Sequence, residues 1–174
     1  MWTHSEFVEF FRGIASSNKH ILHSEAESHF VRIIPVDDPF ASLNTQQYVG
    51  DKRSKLHMPA LMLQVPQTLL RDPGDSITAN DELAFFIMDK PETTTYNDED
   101  ACITKTENIA KGVVGYLRKY FRELQTCPKN MRLVLDGLMI DKIEDKPFWG
   151  TKVTFRITAG ANADFAYNDA DWVD

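Results

Sequence analysis

The stretch from Asn97 to Cys127 restricts the possible folds more than any other part of the chain. Ile103, Ala110, Val113, Val114, Leu117, Tyr120, Phe121 and Leu124 recur at helical spacing along it. Lys111, Arg118, Lys119 and Arg122 fall toward the opposite side. The spacing predicts one long amphipathic helix, with Asn97 or Asp98 as its cap and Asp98, Glu99 and Asp100 matched to its positive N-terminal end. Pro128 stands just past its predicted end. Such a helix has to lay its apolar stripe on another element. Two strand-like runs follow, Met131–Glu144 and Trp149–Ala159, and they read as a hairpin able to receive it. Gly137 predicts a bend or bulge in the first run. In the second, Val153, Phe155 and Ile157 alternate with Lys152, Thr154 and Arg156, one face dry and one wet. Gly112 and Gly115 are expected to let a strand or second helix approach the long helix closely.

The segments before it fit the same plan. Ser5–Ser17 reads as a helix with Phe7, Phe10, Phe11 and Ile14 on one stripe, and Thr3 with Glu6 has capping-box spacing. Phe30–Val36 reads as a strand, Ala60–Val65 as a short buried strand, and Glu82–Asp89 as a strand whose Leu83–Met88 centre is covered on both faces. Gln67–Ala79 reads as a connector with a turn at Arg71–Asp75. The expected fold class is therefore α+β. A mixed or antiparallel sheet of about four to five strands would pack with the long helix and the N-terminal one. Residues 1–160 form one domain in this reading, including a long loop at Asp37–Pro59, and residues 161–174 form an acidic, aromatic arm.

Composition narrows the chemistry. The 174 residues are 43% hydrophobic and 26% charged, enough for one good core without staples. A net charge of −7 argues against a nonspecific nucleic-acid coat, which needs a basic face. Cys102 and Cys127 would stand roughly 37 Å apart on a continuous helix, too far to pair, so two free thiols in a reducing compartment are expected. The first residues, MWTHSEFVEFFRG, lack the basic and apolar regions of a secretory signal, and no run reaches the ~18 apolar residues of a membrane span. No GxxxxGK[ST], GxGxxG or GxSxG pattern occurs. Cys127 lies at the wrong helix end for an activated nucleophile, and the acids at 98–100 oppose a thiolate at Cys102. His20, His23 and His29, with Glu25 and Glu27 between them, fit no compact metal pattern and read as a solvated connector. The expectation is a protein that is not an enzyme, with no cofactor and no metal.

The segments SNKHILHSEAESHFVRI, KLHMPALMLQV, ELAFFIMDK, ITKTENIAKGVVGYLRKYF and FWGTKVTFRIT give the chain a resemblance over about residues 5–158. It resembles a family of small head–tail connector proteins of tailed phages and prophages of Bacteroidetes-type bacteria. Trp149-Gly150 at the start of the last strand is the most family-like detail, while the Asp37–Pro59 loop and the acidic arm depart from the family pattern. The resemblance implies a tail terminator or tail-completion protein. Such a protein forms a homo-oligomeric ring, commonly a hexamer, that caps the tail tube and joins it to neck and connector proteins. It implies a virion component assembled in the bacterial cytoplasm, with no membrane contact. DNA would pass through the lumen without specific binding. On this reading the partner-contacting residues are Phe40, Tyr48, Lys52, Arg53 and Lys55 in the long loop, Lys146, Phe148 and Trp149 at the hairpin tip, and Phe165, Tyr167 and Trp172 in the arm. Two competing readings are a non-catalytic host adaptor module and a metal-dependent hydrolase using the His20–His29 region.

Overall fold

A computed structural model of the chain describes residues 2–33, 56–71, 77–123, 131–145 and 147–160. The order of elements is α1 (His4–Ser17), β1 (Ser28–Ile33), β2 (Leu56–Arg71), β3 (Thr78–Asp89), α2 (Tyr96–Glu123), β4 (Arg132–Asp145) and β5 (Phe148–Gly160). The fold is α+β, as the sequence pattern predicts.

Both helices start where side chains satisfy their first backbone donors. Thr3 caps α1 through a reciprocal pair: its hydroxyl accepts the Glu6 N–H at 3.3 Å, and the Glu6 carboxylate accepts the Thr3 N–H at 2.6 Å. The start of α2 corrects the expected cap at Asn97 or Asp98. Thr95 takes that role, accepting the Asp98 N–H at 3.4 Å and donating its hydroxyl to the Asp98 carboxylate at 2.9 Å. Thr93 donates to the same carboxylate, and these two hydroxyls, Thr93 first, hold the Asp98 carboxyl below its usual range. The polar residues just before a helix hold more candidate caps than spacing alone can separate.

Among the described residues the strands form a five-stranded mixed sheet in the order β1-β2-β3-β5-β4. Only β1 and β2 run parallel, and the other three pairings are antiparallel. The sequence reading of a short strand at Ala60–Val65, followed by a connector over Gln67–Ala79, is corrected here. β2 is one strand of 16 residues, and it also takes in Leu56–Pro59 from the end of the expected long loop. Its pairing with β3 slips between Gln64 and Gln67 and resumes through Arg71↔Thr78. Pro66 stands at that slip, where its missing N–H costs no ladder bond. A proline inside the run reads as an end but marks a bulge. β4 carries a second slip, between Val134 and Met139, around Gly137 at φ 77. That is the bulge expected there.

Both helices lie on one face of the sheet. Phe7, Phe11 and Ile14 of α1 and Ile109, Ala110, Val113, Leu117 and Phe121 of α2 share one buried cluster with strand residues. Leu61 and Leu63 of β2, Leu83, Phe85 and Ile87 of β3, and Val153, Phe155 and Ile157 of β5 complete it. The opposite face holds a smaller cluster of Ile33, Met62, Ala84, Phe86 and Met88. β3 is thus buried on both faces from Leu83 to Met88, as its unbroken apolar run implies. Lys152 places its ammonium 5.7 Å from the Phe86 ring on the second face.

The glycines separate into two kinds. A Cβ on Gly150 would stand 2.4 Å from both the Ile87 carbonyl oxygen and the Met88 sulfur, so β5 can pass β3 there only as glycine. Gly112 and Gly115 have nothing within 4 Å of such a Cβ. The close approach expected at those two positions does not occur among the described residues.

Candidate interface surfaces

The candidate surfaces gather around β4 and the C-terminal half of α2. β4 stands at the sheet edge and, among the described residues, pairs only with β5. Its outer backbone donors and acceptors therefore face away from the sheet. The Gly137 bulge divides it. Before the bulge, Leu133 and Val134 pair with Ile157 and Arg156. After it, Met139 and Ile140 pair with Thr154 and Val153, and their side chains are 53% and 39% exposed. Leu135 is also exposed. Three large apolar side chains on one edge strand form a sticky border rather than a blunted one.

On the helical layer, Trp2, Phe10, Tyr116 and Tyr120 form a half-covered aromatic group. The Trp2 and Phe10 rings lie 4.8 Å apart, Phe10 and Tyr120 lie 4.6 Å apart, and Tyr116 stacks beside Tyr120 at 6.3 Å. Trp2 also reaches Phe121, which ties this group to the core. Near the end of α2, a groove of about 200 Å³ is lined by Arg118, Phe121, Arg122, Leu133 and Leu135.

Polar clusters elsewhere are structural in character. His29, expected in a solvated connector, is buried and belongs to β1. Its backbone N–H donates to His23 Nδ1 at 3.1 Å, and its own Nδ1 donates to the Pro59 carbonyl at 2.9 Å. Burial and the nearby Arg12 charge push the His23 imidazole below its usual value. His20 is exposed and lies away from this pair, against Asp100, Thr104 and Lys105 of α2. Among the described residues no group of three or more His, Cys, Asp and Glu side chains is placed to hold a metal ion. The Cys102 thiol is buried and pushed up to about 11, first by burial and then by the Asp89 carboxylate, so it stays a neutral thiol. Cys127 lies outside the described residues. Asp89 is itself paired with Lys105 at 2.7 Å. Thr106 and Thr151 join α2 to β5 through buried hydroxyls 3.1 Å apart.

Of the sequence-predicted contact residues, Phe148 and Trp149 are described. They lie in β5 rather than on a projecting tip. Trp149 stands opposite Asp89 and Glu144, and Phe148 is half-buried against the second cluster. Phe40, Tyr48, Lys52, Arg53, Lys55, Lys146, Phe165, Tyr167 and Trp172 lie outside the described residues. Sequence reasoning does not single out Leu135, Met139, Ile140, Arg118 or Arg122 as contact residues. The available signal is in LVLDGLMI, where apolar residues occupy both strand parities, a pattern that leaves some outside when only one face of the strand is covered. Among the described residues no helix is long and apolar enough to cross a membrane. No protein-family model matches the chain, and no curated protein matches it.

Proposed function

We propose that this chain is a structural subunit of a tailed-phage particle, a tail terminator or tail-completion protein that works as a ring between tail tube and neck. The reading joins the family resemblance to one observation, the β4 edge, unpaired among the described residues, with Met139 and Ile140 exposed on it. An edge of this kind is stabilised by a further strand. The strand directions are compatible with such a contact. From the strand pairings, β1 and β4 run in opposite directions at opposite edges of the sheet. A second copy carried around a ring axis parallel to the strands would bring its β1 antiparallel to the first copy's β4, the heterologous kind of contact that a ring uses. The work of such a protein is adhesion and register, and it needs no reactive group.

The test is the oligomeric state of the purified chain, read by light scattering with mass detection and by particle imaging. A ring, or a concentration-dependent oligomer completed by tail-tube protein, is expected. Met139→Asp with Ile140→Asp should abolish it while costing the monomer no more than about 2 kcal/mol, since both side chains are at least partly in water. A strict monomer at every concentration, alone and with tail-tube protein, would overturn the proposal. It would favour a host adaptor module instead.

A further inference from the structure

The groove at the end of α2 has a character that the ring does not account for. Its floor is apolar, made by Phe121, Leu133 and Leu135. Its rim carries the guanidinium groups of Arg118 and Arg122, both exposed. Neither has an ion-pair partner among the described residues, although Lys111 and Lys119 on the same helix are paired with Glu107 and Glu123. A second depression, lined by Gly115, Arg118, Lys119, Arg122 and Glu123, adjoins the first and shares both arginines. Two such cations over an apolar floor suit a ligand that is acidic and aromatic together.

One segment of this chain has that chemistry. Residues 161–174, outside the described residues, read ANADFAYNDADWVD. They hold four aspartates and three aromatic residues and no basic residue. They also begin in the right place. β5 ends at Gly160, two residues beyond Thr158, and Thr158 stands opposite Arg132, the neighbour of Leu133 on the groove floor. Fourteen residues span at most roughly 50 Å when extended, far more than this distance requires. A segment tethered so close presents its side chains at an effective concentration of about millimolar, enough to fill a groove of modest affinity.

We infer that the acidic aromatic segment 161–174 docks on its own chain, in the groove between α2 and the first half of β4. Its aspartates would meet Arg118 and Arg122, and an aromatic ring would cover Leu133 and Leu135. This contact lies on the near side of the Gly137 bulge, and Met139 and Ile140 lie beyond it. The two surfaces can therefore act separately, and the inference does not rest on ring formation.

Fluorine NMR of the full chain labelled with 5-fluorotryptophan tests this. The chain has three tryptophans, Trp2, Trp149 and Trp172, and Trp172→Phe assigns the one in the acidic segment. Docking predicts that Arg118→Glu with Arg122→Glu moves and narrows the Trp172 signal toward that of the isolated 161–174 peptide, and that high salt does the same. The Trp149 signal should stay in place and report an intact fold, whereas Trp2 touches Phe121 of the groove floor and is not a reference. If the Trp149 signal moves, Arg118→Gln with Arg122→Gln serves as the milder pair. Replacing the four aspartates by lysine in the chain that already carries Arg118→Glu and Arg122→Glu should return the docked signal. A Trp172 signal that matches the free peptide in the unmodified chain, or that ignores charge reversal and salt, overturns the inference. So does a docked signal that fades on dilution, because the segment would then belong to another copy.

Discussion

β4 and β5 are partners in one hairpin, of 14 and 13 residues, yet they have opposite environments. From Thr151 to Ala159 every odd-numbered side chain of β5 is buried and every even-numbered one is half-covered. No described side chain of β4 is buried. Apolar content does not separate them, since β4 carries Leu133, Val134, Leu135, Leu138, Met139, Ile140 and Ile143. Position does. Among the described residues, β5 has a strand on each side and both helices over its inner face, whereas β4 has a neighbour on one side and lies beyond most of the helical cover. The same kind of residue becomes core in one strand and available surface in the next.

A pair of truncations measured by urea unfolding puts this contrast at most risk. Phe155→Ala removes a ring packed between Phe11 and Phe85 and should cost about 3–5 kcal/mol. Ile140→Ala on β4 should cost less than about 1 kcal/mol, because its side chain is already partly in water. Equal costs would mean that β4 is covered in the free protein.

A somewhat smaller difference is expected between two glycines of the hairpin. Gly150→Ala drives a methyl group into the backbone of Ile87 and Met88 and should destabilise by about 2–3 kcal/mol. Gly137→Ala has open space, and its cost comes only from the positive φ, about 1 kcal/mol. Gly137→Asn should recover part of that loss, since asparagine tolerates the left-handed region. Gly150→Asn should recover nothing, and any rescue there would show that the collision is relieved by movement of β3.

The mildest effect lies beside β5 in β3. Asp81 stands opposite Ile157 and is buried. One carboxylate oxygen accepts the Thr68 hydroxyl at 2.5 Å, and the other has no hydrogen-bond partner among the described residues. Burial pushes its carboxyl above the usual value, and the Thr68 bond offsets this only in part. A carboxyl raised in the folded state favours folding when protonated, and that contribution is lost as pH rises from the unfolded value through the folded one. Asp81→Asn should therefore be more stable than the parent chain at neutral pH, by about 1 kcal/mol. The gap should close as pH falls below the ordinary carboxylate range. A gap that widens on acidification would show that Asp81 is held as a stabilised anion.

Much of the fold is legible in the sequence, for identifiable reasons. The α1 cap needs only Thr3 and Glu6 at the right spacing, because the interaction is local. The two-faced burial of Leu83–Met88 and the alternation from Val153 to Ile157 are also one-dimensional signals. β2 is less legible. Pro66 and Gln67 look like the end of a strand, and only the pairing with β3 turns them into a bulge. The candidate surfaces are the least legible part. Arg118 and Arg122 look like any solvated helix face until Leu133 and Leu135 are brought beneath them.

Features that depend on near neighbours are written directly into the order of residues: helix spacing, the α1 cap, strand parity, and the acidic character of residues 161–174. So is the occurrence of apolar residues at both parities of Met131–Glu144, although the order of residues does not say whether they are covered, as in Leu83–Met88, or left outside. Which strand became the edge, which glycine is compressed, and which charges meet an apolar floor were settled only when the chain packed. Those outcomes depend on residues distant in sequence arriving at the same place, and strand order is set by the packing of the whole sheet rather than by any one segment.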